Sequence, residues 1–224
     1  MAITTLNLRA LNRSDTATSG QVITTTSATA ADFQDAAGGY WNLIKSITAS
    51  SSATVSFVNG TSDVVIDSTY KQYMIRMTNV HPATDGADLT FNGSIDTGSN
   101  YNVAKMSSVY ATYHREGDAA EAGHQYRGTE DSTLATAFAE LMMHQSNDND
   151  SSGSGTLIFY EPSNTTFVKY FSGDTLFFDN SSAPYAKFAS MGGYFNTASA
   201  IDAFQFKYSS GNIDAGEFKL YGAT

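Results

Sequence analysis

Apolar and polar residues alternate along most of the chain after Trp41, with the period of two that is typical of half-buried β-strands. In residues 73–77, Tyr73, Ile75 and Met77 share one face and Arg76 lies on the other. Residues 204–208 and 217–220 repeat this pattern with aromatic residues on one face. The same reasoning predicts further strands at residues 43–48, 53–58, 63–66, 89–95, 108–114, 155–161, 167–171 and 187–195.

Turn residues punctuate this pattern. Pairs that tolerate a positive φ occur at Asn59-Gly60, Asp85-Gly86, Asn92-Gly93, Gly173-Asp174 and Gly211-Asn212. Short strands separated by turn signals at intervals of about ten residues are typical of sandwiches and jelly rolls. The sequence therefore predicts an all-β protein, an antiparallel β-sandwich that is jelly-roll-like.

One segment has a different period. In residues 134–144, the apolar residues Leu134, Phe138, Leu141 and Met142 fall at i, i+4, i+7 and i+8, which predicts one short helix. Polar loops are expected on either side, at residues 115–133 and 145–154.

The first forty residues differ from the rest. They are rich in Ser, Thr and Ala, and Ile3, Leu6 and Leu8 could anchor one short extended piece. We predict an extended N-terminal arm at residues 1–40 that docks on a partner or an adjacent copy, followed by a β-sandwich domain at residues 41–224. The chain has no secretory-signal pattern at its start and no apolar stretch long enough for a membrane span, so no membrane insertion is expected.

Composition narrows the function further. Charged residues are 15% of the chain, against about 25% in typical soluble domains. The polar surface must therefore come from Ser, Thr, Asn and Gly, whose short side chains lose little entropy when a neighbour covers them. The net charge of −10 argues against a nucleic-acid partner, which needs a basic surface. The lack of cysteine excludes disulfides, thiolate metal sites and cysteine catalysis.

Short motifs for catalysis or metal binding are weak in this chain. Asp96-Thr97-Gly98 matches the aspartic-protease signature, but that chemistry needs two such carboxylates, and we interpret the motif as a turn. The four histidines, His81, His114, His124 and His144, lack the spacing of a helical metal site. We therefore predict no catalytic residue, no cofactor and no metal site.

Residues 148–153 resemble the start of a calcium loop, because Asp148, Asp150, Ser152 and Gly153 fall at its first, third, fifth and sixth positions. The twelfth position is Phe159 instead of a bidentate Glu. We expect a solvated loop here, and a weak surface calcium site stays open as an alternative.

Aromatic residues are the best candidates for binding. Flat aromatic rings stack on sugars and dominate protein interfaces, and most of them on alternating strands are expected in the core. Tyr101 and Tyr126 lie near predicted loops, so we select these two as surface-binding candidates.

Several segments resemble virion structural proteins of marine tailed phages, described as tail-fibre-like or capsid-decoration proteins. They are residues 43–73, 79–97, 155–171 and 204–222, the last reading FQFKYSSGNIDAGEFKLYG. The resemblance covers residues 42–222 and implies a non-enzymatic component of the virion, with other capsid or tail proteins as partners. By analogy with such proteins, it also implies a symmetric homo-oligomer such as a trimer.

Three functions remain open within this resemblance. We expect an external capsid decoration or cement protein that stabilises the particle. The first alternative is a tail fibre or appendage that adheres to a host-surface glycan. The second is a tail-borne glycan hydrolase, for which Asp85 and Asp88 offer paired carboxylates.

Overall fold

The computed structural model describes residues 21–25, 31–35, 40–115, 117, 120, 122–180 and 185–224. These residues form fifteen strands and no helix. The strands are β1 (Gln21–Thr25), β2 (Ala31–Asp35), β3 (Asn42–Ser52), β4 (Val55–Val58), β5 (Gln72–Pro82), β6 (Ala87–Ser94), β7 (Lys105–Arg115), β8 (Ala122–Tyr126), β9 (Thr133–Ala135), β10 (Ala139–Gln145), β11 (Gly153–Tyr160), β12 (Lys169–Phe178), β13 (Tyr185–Phe195), β14 (Ala203–Tyr208) and β15 (Ile213–Ala223). Across these ranges no helix has the length and apolar character that crossing a membrane would require.

The chain divides into two units, Met1–Trp41 and Asn42–Thr224. In the first unit, β1 and β2 form an antiparallel pair in which Gln21 lies opposite Asp35. The predicted anchor residues Ile3, Leu6 and Leu8 lie outside the described residues, so their docking role stays a prediction.

The second unit is a jelly roll. We number its framework strands β3, β4, β5, β6, β10, β11, β14 and β15 from first to eighth along the chain. One sheet then contains the order 1-8-3-6 and the other the order 2-7-4-5, with every pairing antiparallel. This is the strand order of two interlocked Greek keys, and it confirms the predicted antiparallel, jelly-roll-like sandwich.

Five further strands widen one sheet only. β7, β8 and β9 lie between the fourth and fifth framework strands in the sequence, and β12 and β13 lie between the sixth and seventh. They add to the free edge of β11, so the larger sheet has the order β3-β15-β5-β11-β12-β13-β7-β8, with β9 also on β7. The nine-stranded sheet is therefore much wider than the four-stranded sheet β10-β6-β14-β4.

Phenylalanine side chains fill the space between the sheets. The rings of Phe159 on β11 and Phe204 on β14 stack at 3.7 Å between centroids and so join the two sheets directly. Phe91, Phe171 and Phe195 are buried around them. Alternation along each strand places these rings inside, as the period of two predicts.

Two lysines are buried at one end of this core. Lys105 and Lys169 both lie opposite Phe195 on neighbouring strands, and each is at most 1% exposed. The Lys169 Nζ donates to the carbonyls of Phe167 at 2.6 Å and Thr197 at 3.0 Å, and the Lys105 Nζ donates to the carbonyl of Ala137. Burial lowers the pKa of Lys105 to about 8. The two ammonium groups tie loops together across the end of the sandwich.

Five local predictions are wrong. The predicted helix at residues 134–144 is instead β9 and β10, and the loop at 115–133 contains β8. Residues 63–66 form no strand. The expected turns at Asn92-Gly93 and Gly173-Asp174 lie inside β6 and β12.

Candidate contact surface

The outer face of the nine-stranded sheet is the side that points away from the four-stranded sheet. Side chains at alternate positions of its strands point to this face. Eight large apolar or aromatic side chains on it are between 38% and 60% exposed, and these are Leu43, Met106, Tyr110, Tyr126, Tyr160, Tyr170, Leu176 and Phe188. Exposed apolar side chains that cluster on one face often mark a contact site.

An aromatic row crosses one end of the outer face. Tyr170 on β12 pairs with Tyr194 on β13, which pairs in turn with Met106 on β7. The two tyrosine rings meet edge to face at 6.1 Å, and the Tyr194 hydroxyl donates to the Met106 sulfur at 3.6 Å. Tyr160 on β11 hydrogen-bonds with Ser172 at 3.1 Å between the hydroxyl oxygens. These contacts hold the rings in place, so little side-chain entropy remains to be lost on binding.

A second aromatic group lies near β8. Tyr110 on β7 pairs with Tyr126 on β8, and the Tyr110 ring stacks on His124 at 5.9 Å. The Tyr126 hydroxyl donates to the Asp131 carboxylate, and this hydrogen bond raises the pKa of Tyr126. The phenol therefore stays neutral and fixed in orientation.

Charge is sparse on the outer face. Glu217 and Lys219 neutralise each other at 2.8 Å on β15. Arg76 on β5 and Asp174 on β12 are exposed, and within the described residues neither has an ion-pair partner. The residues around them are mostly Ser, Thr and Gly, whose removal from water costs little free energy. Such a low density of charge is typical of the centre of a protein interface.

The structure separates the two tyrosines that the sequence suggested. Tyr126 is 60% exposed on the outer face. Tyr101 is half-buried beside the turn at Gly98 after β6, where its carbonyl accepts from the Asn92 side-chain amide at 2.9 Å. Burial raises the pKa of the Tyr101 phenol. Only Tyr126 therefore belongs to the contact surface.

Sequence reasoning missed most of this surface, although a signal was present. β12 has apolar residues on both of its faces, since Tyr170 and Leu176 point outward while Phe171 and Phe177 point inward. A strand with two apolar faces is either buried on both faces within the protein or covered on one face by another molecule. The inward set accounts for the core, and the outward set is the signal for a second contact face.

The predicted chemical motifs lie elsewhere. The Asp96 carboxylate accepts from Ser94 at 2.7 Å and from the Asn100 side chain at 2.7 Å, and these hydrogen bonds lower the pKa of Asp96. The Asp85 carboxylate accepts from the Asn147 amide at 3.2 Å, and the Asp88 carboxylate from the His144 amide at 2.8 Å. The Asp85 and Asp96 carboxylates thus hold loops and turns together, and the Asp88 carboxylate links β6 to β10.

The calcium-like segment at residues 148–153 forms a compact turn. The Ser151 hydroxyl donates to the Asp148 carbonyl at 3.0 Å. An open cleft of about 500 Å³ lies alongside, in which His81 and Asp214 approach to 3.6 Å. Among the residues that the structure describes, no group of three or more His, Asp or Glu side chains could hold a metal ion.

Glu140 on β10 gives a prediction about pH. Partial burial, with Asp88 and Glu130 nearby, raises the pKa of Glu140 from 4.5 to about 7. The folded state therefore holds this proton more tightly than the unfolded chain, so stability falls as the pH rises from about 4.5 to about 7. We expect Glu140→Gln to raise the free energy of unfolding by about 1–2 kcal/mol at pH 8 and to give almost no gain at pH 4.

Urea unfolding at the two pH values measures this effect. Glu217→Gln is the matched control, because Lys219 and Ser46 lower the pKa of Glu217, so its removal should not stabilise at pH 8. An equal gain from Glu140→Gln at both pH values would contradict the role of its charge.

Comparison with protein-family models, curated proteins and solved structures gives no match for this chain. The function must therefore be argued from the molecule itself.

Proposed function

We propose that this chain is a non-enzymatic structural protein of a tailed-phage particle, placed on the outside of the capsid as a decoration protein. The observation that carries the proposal is the outer face, with its exposed apolar and aromatic side chains and few charges. Leaving such a face in water is unfavourable, and covering it in an assembly releases that cost.

The fold is compatible with this role. Jelly rolls occur in viral capsid proteins, in lectins and in cupins, so the fold alone does not select a function. The resemblance of residues 42–222 to virion structural proteins of marine tailed phages favours the first of these three. A broad, rigid sheet face suits packing against a neighbouring subunit.

Antibody labelling of intact particles tests the placement. Gold-labelled antibody raised against the purified chain should bind the heads of particles of the phage that encodes it. Label on the tail would replace decoration with the tail-fibre alternative. Particles that carry no label and contain none of the chain by mass spectrometry would overturn the virion role.

A charged residue on the outer face should block incorporation. We expect Leu176→Asp, at a position that is 59% exposed, to fold normally and to lower incorporation into particles at least about tenfold, because the new carboxylate must be desolvated at the contact. The quantity measured is the copy number per particle when the variant replaces the wild-type gene.

Ile95→Asp is the matched control for this variant. Ile95 is 45% exposed and follows β6 of the four-stranded sheet, so the same change of charge occurs away from the outer face. Equal incorporation of the two variants would show that the outer face is not part of the assembly contact.

A tail appendage that adheres to a host glycan is the second candidate. The exposed rings of Tyr160 and Tyr170 on adjacent strands favour it, because tyrosine faces stack on sugar rings. Glycan-array binding that disappears in Tyr170→Ser would support adhesion, and an array without signal together with head labelling would exclude it.

A further inference from the structure

We propose that a second copy of this chain covers the outer face, related to the first by a two-fold axis that runs along β11. The inference rests on the proposed function, because it names the partner for the contact surface defined above. A two-fold axis in the plane of the contact exchanges the strands on either side of β11, so that β5 of one copy faces β12 of the other.

The strand register places two opposite charges symmetrically about this axis. Thr156 on β11 pairs with Arg76 on β5 and with Asp174 on β12, so the three residues form one row across the sheet. Arg76 and Asp174 are each one strand from β11 and about 10 Å apart. Within one copy these two described residues form no ion pair, whereas the two-fold axis sets Arg76 of each copy against Asp174 of the other.

The neighbouring row matches in shape. It runs from Tyr221 on β15 through Met74, Ile158 and Ser172 to Gly192 on β13. Tyr221 and Gly192 are each two strands from β11, so the same axis sets the Tyr221 ring of one copy over Gly192 of the other. A side chain at Gly192 would meet nothing within 4 Å, which leaves room for that ring.

These two matches favour a second copy over an unrelated protein. Among the described residues, Arg76 and Asp174 have no ion-pair partner and lie on opposite halves of the face, which makes the face complementary to itself. Both charges must be covered by any partner that buries the face, and an uncompensated charge in an interface is costly. A copy of the same chain neutralises both in a single arrangement, and forms each contact twice.

Charge exchange tests the arrangement on the full chain. Sedimentation velocity across the micromolar range should show a dimer for the wild type. Arg76→Asp and Asp174→Arg should each weaken dimerisation at least about tenfold, because each places two like-charged pairs in the contact. The double variant Arg76→Asp/Asp174→Arg should recover the wild-type dimer to within about threefold, since the pairs are restored with reversed polarity.

Two more variants distinguish a weakened dimer contact from a folding defect. Gly192→Thr adds a side chain where the single copy is open, so the chain should stay folded and the dimer should weaken. Lys207→Asp reverses a half-buried cation on the outer side of the four-stranded sheet, where its ammonium lies 4.3 Å from the Phe138 ring centroid, and should leave the dimer unchanged once circular dichroism shows that the variant is folded.

A monomeric wild type, or a double variant that dissociates as readily as the single ones, would overturn the proposal. Neither result would affect the proposed position on the particle, because the labelling experiment does not depend on what covers the outer face.

Discussion

Phe91→Ala is expected to lower the free energy of unfolding by about 3–5 kcal/mol. Phe91 on β6 is fully buried, and its ring lies 5.2 Å from Phe171, 6.1 Å from Phe159, 6.2 Å from Phe195 and 6.4 Å from Phe206. Truncation removes the contacts of one ring with four others. Because those rings belong to several strands in both sheets, none can move into the space without disturbing strand pairing.

Denaturant unfolding followed by tryptophan and tyrosine fluorescence measures this loss. Phe167→Ala is the control of the same chemistry, because Phe167 is 67% exposed and its removal should change stability by less than about 0.5 kcal/mol. If Phe91→Ala cost no more than Phe167→Ala, the aromatic cluster would not be the centre of the fold.

Parts of the jelly-roll framework were predictable because short segments of its strands alternate with a period of two. Residues 73–77 of β5, 204–208 of β14 and 217–220 of β15 bury every second side chain, so the faces of these segments can be assigned from the sequence. The pairing order of the sheets was not predictable in this way. Each contact between β3 and β15 joins residues far apart in the sequence, and no local pattern specifies that partner.

The failed helix has a physical cause. β10 buries three consecutive residues, Leu141, Met142 and Met143, because its register to β6 shifts twice along the strand. Such irregularities change the side to which the following residues point. They turned an alternating strand into a pattern that resembles the period of a helix.

The turn predicted at Asn92-Gly93 is wrong for a different reason. Both residues lie inside β6, where Gly93 leaves room for Ile201 and Phe195, each 3.2 Å from the position of a Cβ. The Asn92 side chain is fully buried and donates to the carbonyls of Tyr101 and Thr136, both at 2.9 Å. A pair of turn residues thus serves packing and loop anchoring, which only the three-dimensional neighbours reveal.

Only part of the candidate site could be found from the sequence. The sequence favours Tyr126 because it lies near a predicted loop, although the structure places it in β8. Most of the outer face is carried by the five strands that the jelly roll does not require, and their membership of one sheet is a tertiary fact. The arrangement of Arg76 and Asp174 likewise depends on the order of β5, β11 and β12.

Gly193→Ala is expected to cost about 3 kcal/mol or more, although it adds a single methyl group. Gly193 on β13 points inward, between Phe171 on β12 and Ser107 on β7. A Cβ there would lie 2.2 Å from the Met106 carbonyl oxygen and 2.7 Å from the Phe171 ring. Backbone cannot yield as a flexible side chain can, so the β13–β7 pairing must open for the methyl group to fit.

The adjacent glycine provides the control for this prediction. Gly192 points to the outer face, where a Cβ meets nothing within 4 Å, so Gly192→Ala should leave unfolding within about 0.5 kcal/mol of the wild type. Thermal and urea unfolding of the two variants, at a protein concentration low enough that both are monomeric, compares the same chemical change on opposite faces of one strand. Similar losses for both would mean that Ala is disfavoured at these positions for backbone reasons. A large loss for Gly193→Ala alone would show that the Phe171 ring occupies the space that a side chain at position 193 would need. It would also show that the strands added beyond β11 are packed as tightly as the jelly roll to which they are attached.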